Sequence, residues 1–578
     1  MTWIEYAVIA AYLVLLMLVG WIFKRFNENT SDYLRGGCRG SWWLVGTSVF
    51  MSLFSAWTFT GAAGVAYESG FSVMVIYFAN ALGFFVNFLF TGPWLRQLRA
   101  TTAPEIINLR FGPGTQKLYA FTLVPMRLLY SSLHLYGLGI FCSAVFGYDI
   151  KTVIIVVGIV VLFYSTSGGR WAVMATDFLQ GLILVPLTIL VAILCLKELG
   201  GFSGLLQAIE VQNLQSDYQV INPYGRFAGA FTWGWASAMM LKQVITYNTL
   251  QAAPRYFSVK DGANARKAAL LAMFLMLFGA VFWFIPPMTA RLLFSNEVLA
   301  TAIAKPAEAA YAVASLQMLP SGLTGMIIVA ILTATMSSMD TGLNVNAAIL
   351  IRDIYPNWCR WRGRKPSPEE NQLKYARWIT LALGLIVILL AIYFSQQDGK
   401  GIFEIMLDMG ALVATPMAVP MFWGLFVRKT PSWIAFAAIG CAVVPSTLGF
   451  FSGSLFETEW TFQMKFFAVF CTGTGAFLAA LPFAGGLPEE REKGVTEFFR
   501  RMHTPIDFAR EVGEANDASQ LTILGRLGLG VGLFVGLMVA LPNEAAGRLT
   551  ILVLAAVISL VSVSMIWIGH RNKTGNQT

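Results

Sequence analysis

Long apolar stretches alternate with short polar ones along almost the whole chain. We count about fifteen stretches close to the roughly 20 residues with which a helix spans a bilayer. They are expected near residues 3–23, 42–66, 71–95, 118–147, 152–166, 172–196, 228–249, 268–290, 322–350, 378–396, 403–427, 432–451, 464–484, 527–541 and 549–569. The pattern predicts an all-α polytopic membrane protein.

The most unusual polar residues lie inside the apolar stretch 322–350. Ala334, Ser337 and Ser338 stand at i, i+3 and i+4 and would share one helix face. Ser337, Asp340 and Thr341 repeat that spacing one turn further on. An ionisable residue within a membrane span is costly, so it indicates a functional site with a partner to be found. Because hard cations prefer oxygen ligands, we interpret this segment as a cation site.

Two spans carry mixtures of small, hydroxyl and aromatic residues that suggest an interrupted helix. They are residues 48–64 in the second span and 229–237 in the seventh. If each opens a unit of five spans, the two units have opposite topology, as in inverted-repeat transporters. The alternative is that the small residues only permit close helix packing.

Composition and charge agree with a membrane protein. Of the 578 residues, 57% are hydrophobic and only 12% are charged, against about 25% in soluble domains. The net charge of +9 could suggest a nucleic-acid partner, but 30 of the 40 Lys and Arg fall in alternate loops, on one side of the predicted membrane. This asymmetry predicts an N-out, C-in topology and no nucleic-acid partner.

The sequence offers little for catalysis. There are only three His and six scattered Cys, and we find no phosphate-binding loop, serine-hydrolase motif or zinc-protease motif. A membrane enzyme or a sensor is therefore a weaker interpretation than a transporter. The start, Met-Thr-Trp-Ile-Glu, lacks a basic signal-peptide region, so we expect the first span to be retained and the protein to lie in a bacterial inner membrane.

Three stretches, over about residues 1–450, resemble the sodium:solute symporter family. They are Thr102–Gly112, the segment Ser167–Gln180 with its Gly pair and Thr-Asp-x-x-Gln motif, and the Ala-x-x-Ser-Ser helix that leads to Arg352–Tyr355. The resemblance implies a LeuT-like 5+5 inverted repeat with additional flanking helices. We therefore expect the units 1–41, 42–196, 197–227, 228–430 and 431–578, the last with a cytoplasmic segment 485–526.

The resemblance also implies a sodium site between the first and eighth core helices. Its carbonyl ligands would be Met51, Phe54 and Ala334, and its hydroxyl ligands Ser337 and Ser338. The alternative is that the two hydroxyls only bond to carbonyls one turn earlier in their own helix.

Some family members have a further sodium position, which would correspond here to Asp177, Ser337, Asp340 and Thr341. The family usually has a hydroxyl residue where this chain has Asp340. Two carboxylates in a dry site need a cation, or one keeps its proton. We expect a second sodium or a coupled proton there; the alternative is an ion pair between Asp340 and Lys242.

The resemblance places six residues near the solute: Ser55, Thr58, Tyr77, Trp235, Lys242 and Gln243. Lys242 stands where family members often have Asp or Asn before Gln, so it could meet an anionic group or instead extend towards the membrane surface. Asp408 is a further acid within a span, whose role the sequence leaves open. The expected function is sodium-coupled symport of a small organic solute, such as a sugar, by alternating access. Proton coupling through Asp177 and Asp340 is the alternative.

Overall fold

The computed structural model describes residues 3–23, 35–165, 170–222, 229–301, 303–365, 368–396, 401–485 and 487–575. Within them the regular structure is helical, with two isolated β-bridges. The helices are α1 (Trp3–Phe23), α2 (Trp42–Met51), α3 (Ala56–Phe59), α4 (Gly61–Ser69), α5 (Met74–Val86), α6 (Gly92–Gln97), α7 (Ala103–Phe111), α8 (Pro113–Phe146), α9 (Ile150–Ser165), α10 (Arg170–Leu199), α11 (Phe202–Val211), α12 (Trp233–Tyr247), α13 (Gly262–Trp283), α14 (Ile285–Leu293), α15 (Ser295–Leu299), α16 (Ala310–Met318), α17 (Leu323–Ile349), α18 (Tyr355–Trp361), α19 (Glu369–Phe394), α20 (Ile402–Asp408), α21 (Thr415–Trp423), α22 (Ile434–Phe450), α23 (Ser452–Phe456), α24 (Phe462–Ala480), α25 (Glu489–His503), α26 (Phe508–Glu511), α27 (Asp517–Leu537) and α28 (Ala545–Gly575).

The prediction of an all-α membrane protein is confirmed. Ten helical segments of the described chain are long and apolar enough to cross a bilayer. Shorter apolar helices, among them α2, α9 and α22, coincide with other predicted spans. The total of fifteen spans and the N-out orientation stay predictions.

Helix α17 is the most enclosed of the long helices and forms the centre of the fold. It packs against α1, α8 and α10, and it also touches α2 and α3. Because neighbours surround it, its polar side chains face protein instead of lipid, which is the only arrangement that a membrane interior tolerates.

The predicted interruption of the second span is present, whereas that of the seventh is wrong. The second span divides into α2, α3 and α4, with non-helical backbone at Ser55 and Thr60. The seventh begins its helix only at Trp233 and continues unbroken to Tyr247. The residues from 229 to 232 form a turn that precedes the helix, so their small side chains mark its start and not a break within it.

The segment after α24 folds back onto the helix ends that carry the basic loops. Helix α25 packs against α6 and α7. Glu511 pairs with Arg99 at 2.6 Å, and Asp517 pairs with Lys260. Further along, the amide of Gln520 donates to the carbonyl of Arg39 at 2.9 Å. The part of the chain from Glu489 to Gln520, which we call the return segment, thus contacts three separate connections of the core.

Candidate functional site

The break between α2 and α3 follows from its local sequence. Ser52 donates its hydroxyl to the carbonyl of Val49 at 2.8 Å, and hydroxyl residues that bond their own backbone in this way weaken helical continuation. The amides of Leu53 and Phe54, which follow α2, bond three residues back, as from Phe54 to the carbonyl of Met51 at 3.2 Å. Ser55 is then fully extended, and α3 starts at Ala56. The regular helical bonding stops here, and because each carbonyl oxygen has two lone pairs, the carbonyls around the break can accept partners from outside the helix.

Helix α17 places Ser338 against these carbonyls. The Ser338 hydroxyl oxygen lies 3.5 Å from the oxygen of Met51, 3.2 Å from that of Ser52 and 3.5 Å from that of Phe54. It is also 3.4 Å from the carbonyl oxygen of Ala334. One hydroxyl has a single proton, so it cannot bond to all four at once. We call these five oxygens the carbonyl ring; such a set suits a hard cation.

Thr335 also connects α17 to the break. Its hydroxyl accepts from the backbone amide of Ala56 at 2.8 Å and donates to the carbonyl of Ile331 at 2.9 Å. The amide of Ala56 is the first of α3, and such amides have no partner within their own helix. Sequence reasoning missed Thr335 and the carbonyl of Ser52. The signal for Thr335 was its position three residues before Ser338, on the same helix face.

A second polar group lies around Asp177 on α10. The carboxylate is fully buried and accepts a hydrogen bond from Ser48 through Oδ2. Its Oδ1 has no hydrogen-bond partner within the described residues, and the same holds for the hydroxyls of Ser337 and Thr341. Ser337 approaches the carboxylate without reaching hydrogen-bond geometry. Ser337 thus differs from Ser338, because it faces Asp177.

Two sequence-based interpretations fall on parts that are not described. The side chain of Asp340 lies outside the described residues, and so does its predicted ion pair with Lys242. Residues 166–169, which hold the Gly pair of the second motif, lie outside as well.

A cavity of about 410 Å³ adjoins the break. Ser55, Lys242 and Gln243 line it, as do Ser338 and Thr341 of α17. The cavity is thus continuous with the carbonyl ring, and its volume falls in the range of small-molecule sites.

The other three predicted solute residues do not line this cavity. Tyr77 donates its hydroxyl to Thr58 at 2.8 Å, and both side chains are buried in the wall. Trp235 is also buried, with its ring edge-on to Phe231. Their placement near the solute stays a prediction without a direct contact to the cavity.

Gln243 belongs to a small polar group that the sequence did not reveal. Its amide donates to Asn80 on α5, which also accepts from the hydroxyl of Tyr247 at 3.1 Å. Asn80 and Tyr247 line the cavity too. The signal was a lone Asn in the apolar fifth helix, which sequence reasoning passed over.

Lys242 lines the cavity with its ammonium over an aromatic ring. Its Nζ is 5.9 Å from the ring centre of Phe462. Gly410 lies opposite this ammonium, and a Cβ added there would lie 2.6 Å from the Lys242 Nζ. Glycine at 410 therefore makes room for the lysine head group. Asp408, whose role the sequence left open, is paired with Lys465 at 2.8 Å.

The cavity extends towards one face of the helix bundle. Thr101, Gln251 and Arg255 line this end, and they lie in or beside the basic loops. At the other end the aromatic rings of Trp57 and Phe403 stack with centres 5.9 Å apart. The cavity therefore reaches the end of the bundle that carries the basic loops.

A broken helix, a carbonyl ring completed by the Ser338 hydroxyl and an adjoining cavity define an ion-coupled secondary transporter. The comparisons agree. The profile of the sodium:solute symporter family matches residues 33–440. The chain belongs to the sodium:solute symporter family, and it is a sodium-coupled solute symporter and not an enzyme.

Relatives with known activities cover most of this chain. The sodium/sialic acid symporter SiaT of Proteus mirabilis (strain HI4320) is 25% identical over 465 residues, 76% of this chain and 88% of its own length. The sodium/proline symporter of Staphylococcus aureus is 25% identical, over 67% of this chain and 75% of its own. The rat (Rattus norvegicus) sodium/glucose cotransporter 2 is 24% identical, over 73% and 68%. Their different solutes leave the solute of this chain open.

The fold is shared with solved transporter structures. A sodium-coupled sialic acid symporter in a substrate-bound outward-open state has a TM-score of 0.68 at 20% sequence identity, covering 83% of this chain and 98% of its own. Mhp1, a nucleobase-cation-symport-1 family transporter, has a TM-score of 0.52 at 14% identity, covering 81% and 99%. The LeuT-like architecture expected from the sequence is thus confirmed.

Proposed function

We propose that this symporter binds one sodium ion at the carbonyl ring and carries a small organic solute in the adjoining cavity by alternating access. Met51, Phe54, Ala334 and Ser338 would coordinate the ion, with Ser52 as an additional carbonyl ligand. The observation that carries the proposal is the position of the Ser338 hydroxyl within 3.5 Å of all four carbonyls. Ser337, also expected as a ligand, faces Asp177 and would join this site only after a small rotation.

Sodium in this position would bridge the broken helix and α17. Rotation of one set of helices against the other would separate Ser338 from the break and release the ion. Because Ser338 also lines the solute cavity, ion and solute would favour the same closed state, and each would tighten binding of the other by the same factor.

We place the protein in a bacterial inner membrane with about fifteen spans, the N-terminus outside and the C-terminus inside. The side on which the basic loops lie is then the cytoplasm. The cavity extends towards that side, which corresponds to an inward-facing state.

Asp177 supports a second coupling position. Its unpartnered Oδ1 and the unpartnered hydroxyls of Ser337 and Thr341 are buried polar groups of the kind that a cation would satisfy. With Asp340 they would hold a second sodium, or alternatively Asp177 would carry a proton. Either way this position would set the number of cations moved per solute.

Uptake by reconstituted vesicles tests the coupling. Purified protein in proteoliposomes should accumulate solute when sodium is outside and potassium inside, and a pH gradient alone should not drive uptake. Uptake driven by the pH gradient without sodium would favour the proton alternative. Asp340→Ser should change the sodium stoichiometry or the pH dependence; if both stay as in the wild type, the second position is not coupled.

A further inference from the structure

The cavity beside the break carries an excess of positive charge. Arg127, Arg170, Lys242 and Arg255 line it, and no Asp or Glu of the described residues does. Arg170 already donates to the hydroxyl of Ser258 at 3.2 Å. The other three cations are the ones that need an explanation.

Hydrogen bonding leaves these cations incompletely satisfied, although the guanidinium of Arg255 lies 4.5 Å from the ring centre of Tyr247. Nε of Arg127 and Nη1 of Arg255 are buried without a hydrogen-bond partner among the described residues. Lys242 forms no salt bridge with a carboxylate of the described residues, and its ammonium lies 5.9 Å from the ring centre of Phe462. A cation at membrane depth is expensive, and a cavity provides the place where a diffusible anion can neutralise it.

The packing around Lys242 leaves room for its ammonium at the cavity. Gly410 leaves space that any other side chain would take, because an added Cβ would lie 2.5 Å from Cε and 2.6 Å from Nζ. Gln243 and Asn80 line the same cavity, and side-chain amides can bond the neutral part of a ligand.

We propose that the transported solute is a small organic anion whose acidic group binds Lys242, with Arg127 and Arg255 lining its path to the basic side. This inference rests on the proposed sodium-coupled symport and narrows the solute class. A carboxylate or a phosphate ester would both satisfy these cations, since Lys acts as a point charge and Arg binds either group in a bidentate manner. A neutral sugar has no acidic group to offer these cations, and a zwitterion would bring a second positive charge into a cavity that already has an excess of it.

Matched pairs of solutes test the inference. The thermal midpoint of the purified full-length protein is measured in sodium chloride and in choline chloride with lactate and lactamide, nicotinate and nicotinamide, glucuronate and glucose, and glycerol 3-phosphate and glycerol. We expect an acidic member to raise the midpoint in sodium, while its neutral partner does not. The proposal would be overturned if only neutral solutes raised the thermal midpoint, or if no acidic solute raised it in sodium chloride. A difference between carboxylates and the phosphate ester would identify the acidic group.

Variants of Lys242 connect the effect to this cation. Lys242→Met should weaken binding of the stabilising anion at least tenfold and leave the response to sodium alone intact. Gly410→Ala, which displaces the ammonium without removing it, should weaken the anion in the same direction. Lys267→Met, an exposed cation outside the cavity, is the matched control. Unchanged anion affinity in both cavity variants would refute the role of Lys242, whereas loss of the sodium response in the wild type would refute the proposed function itself.

Discussion

Replacing Ser338 with alanine is the sharpest test of the carbonyl ring. The substitution removes the one side-chain oxygen of the set and leaves the four carbonyls. A single interaction with a charged group contributes about 1.5–3 kcal/mol, so the sodium Kd should rise by roughly 10-fold to 150-fold. Ser338 is buried, and loss of its hydroxyl should lower the free energy of unfolding by only about 1 kcal/mol.

The assay separates these two effects. Thermal unfolding is followed over a series of sodium concentrations, with choline holding the ionic strength constant. Wild-type protein gains about 2.7 kcal/mol when sodium is at about 100 times its Kd, and the variant needs correspondingly more sodium for the same gain. Ser315→Ala is the control, because this buried hydroxyl also donates to a carbonyl four residues earlier, that of Tyr311 at 2.8 Å. If Ser338→Ala folds and keeps the wild-type sodium Kd within twofold, the carbonyl ring is not the sodium site.

Three other changes probe the surroundings of the site. Thr335→Val removes the acceptor for the first amide of α3 and should cost about 1–2 kcal/mol in unfolding free energy and weaken sodium binding, as measured by chemical denaturation; an unchanged stability would contradict its capping role. Asp517→Asn breaks the contact with Lys260, and we expect faster proteolytic cleavage of the return segment and altered transport rate, with equal cleavage as the contrary result. Burial raises the pKa of Glu308 to about 7 from an ordinary value near 4.5, beside Lys305. The stability that Glu308 contributes is therefore full below about pH 4.5 and is lost as pH rises through about 7, so Glu308→Gln should flatten the pH profile of the thermal midpoint in that window; a profile identical to the wild type would refute this.

The fold was largely predictable because its signals are strong. Apolar runs of sufficient length predict membrane helices, and the helix break at Ser52 to Ser55 was indicated by hydroxyl residues within such a run. The prediction of a break near Gly229 was wrong for a related reason. Small and aromatic residues are equally suited to the turn that leads into a helix, and periodicity alone does not distinguish the two cases.

One part of the candidate site followed from spacing along a single helix, and another part was implied by the resemblance to the family. The spacing of Ala334 and Ser338 puts them on one face of α17, whereas their meeting with the carbonyls of Met51 and Phe54 was implied by the resemblance to the family. Asn80 and Thr335 act through contacts across helices, and a single sequence does not encode which faces meet. The separation of Ser337 from Ser338 had the same cause, since Asp177 on another helix decides where Ser337 faces.

The space that Gly410 leaves for Lys242 has a consequence for evolution. The two positions are on different helices, yet neither residue is useful without the other: the lysine needs the gap, and the gap without a lysine is a void that packing would tend to fill. They should therefore be inherited as a pair. Among diverged descendants of this transporter, a larger residue at 410 should accompany loss of the lysine. The residues at these two positions would then indicate where a lineage changed the charge of its transported solute.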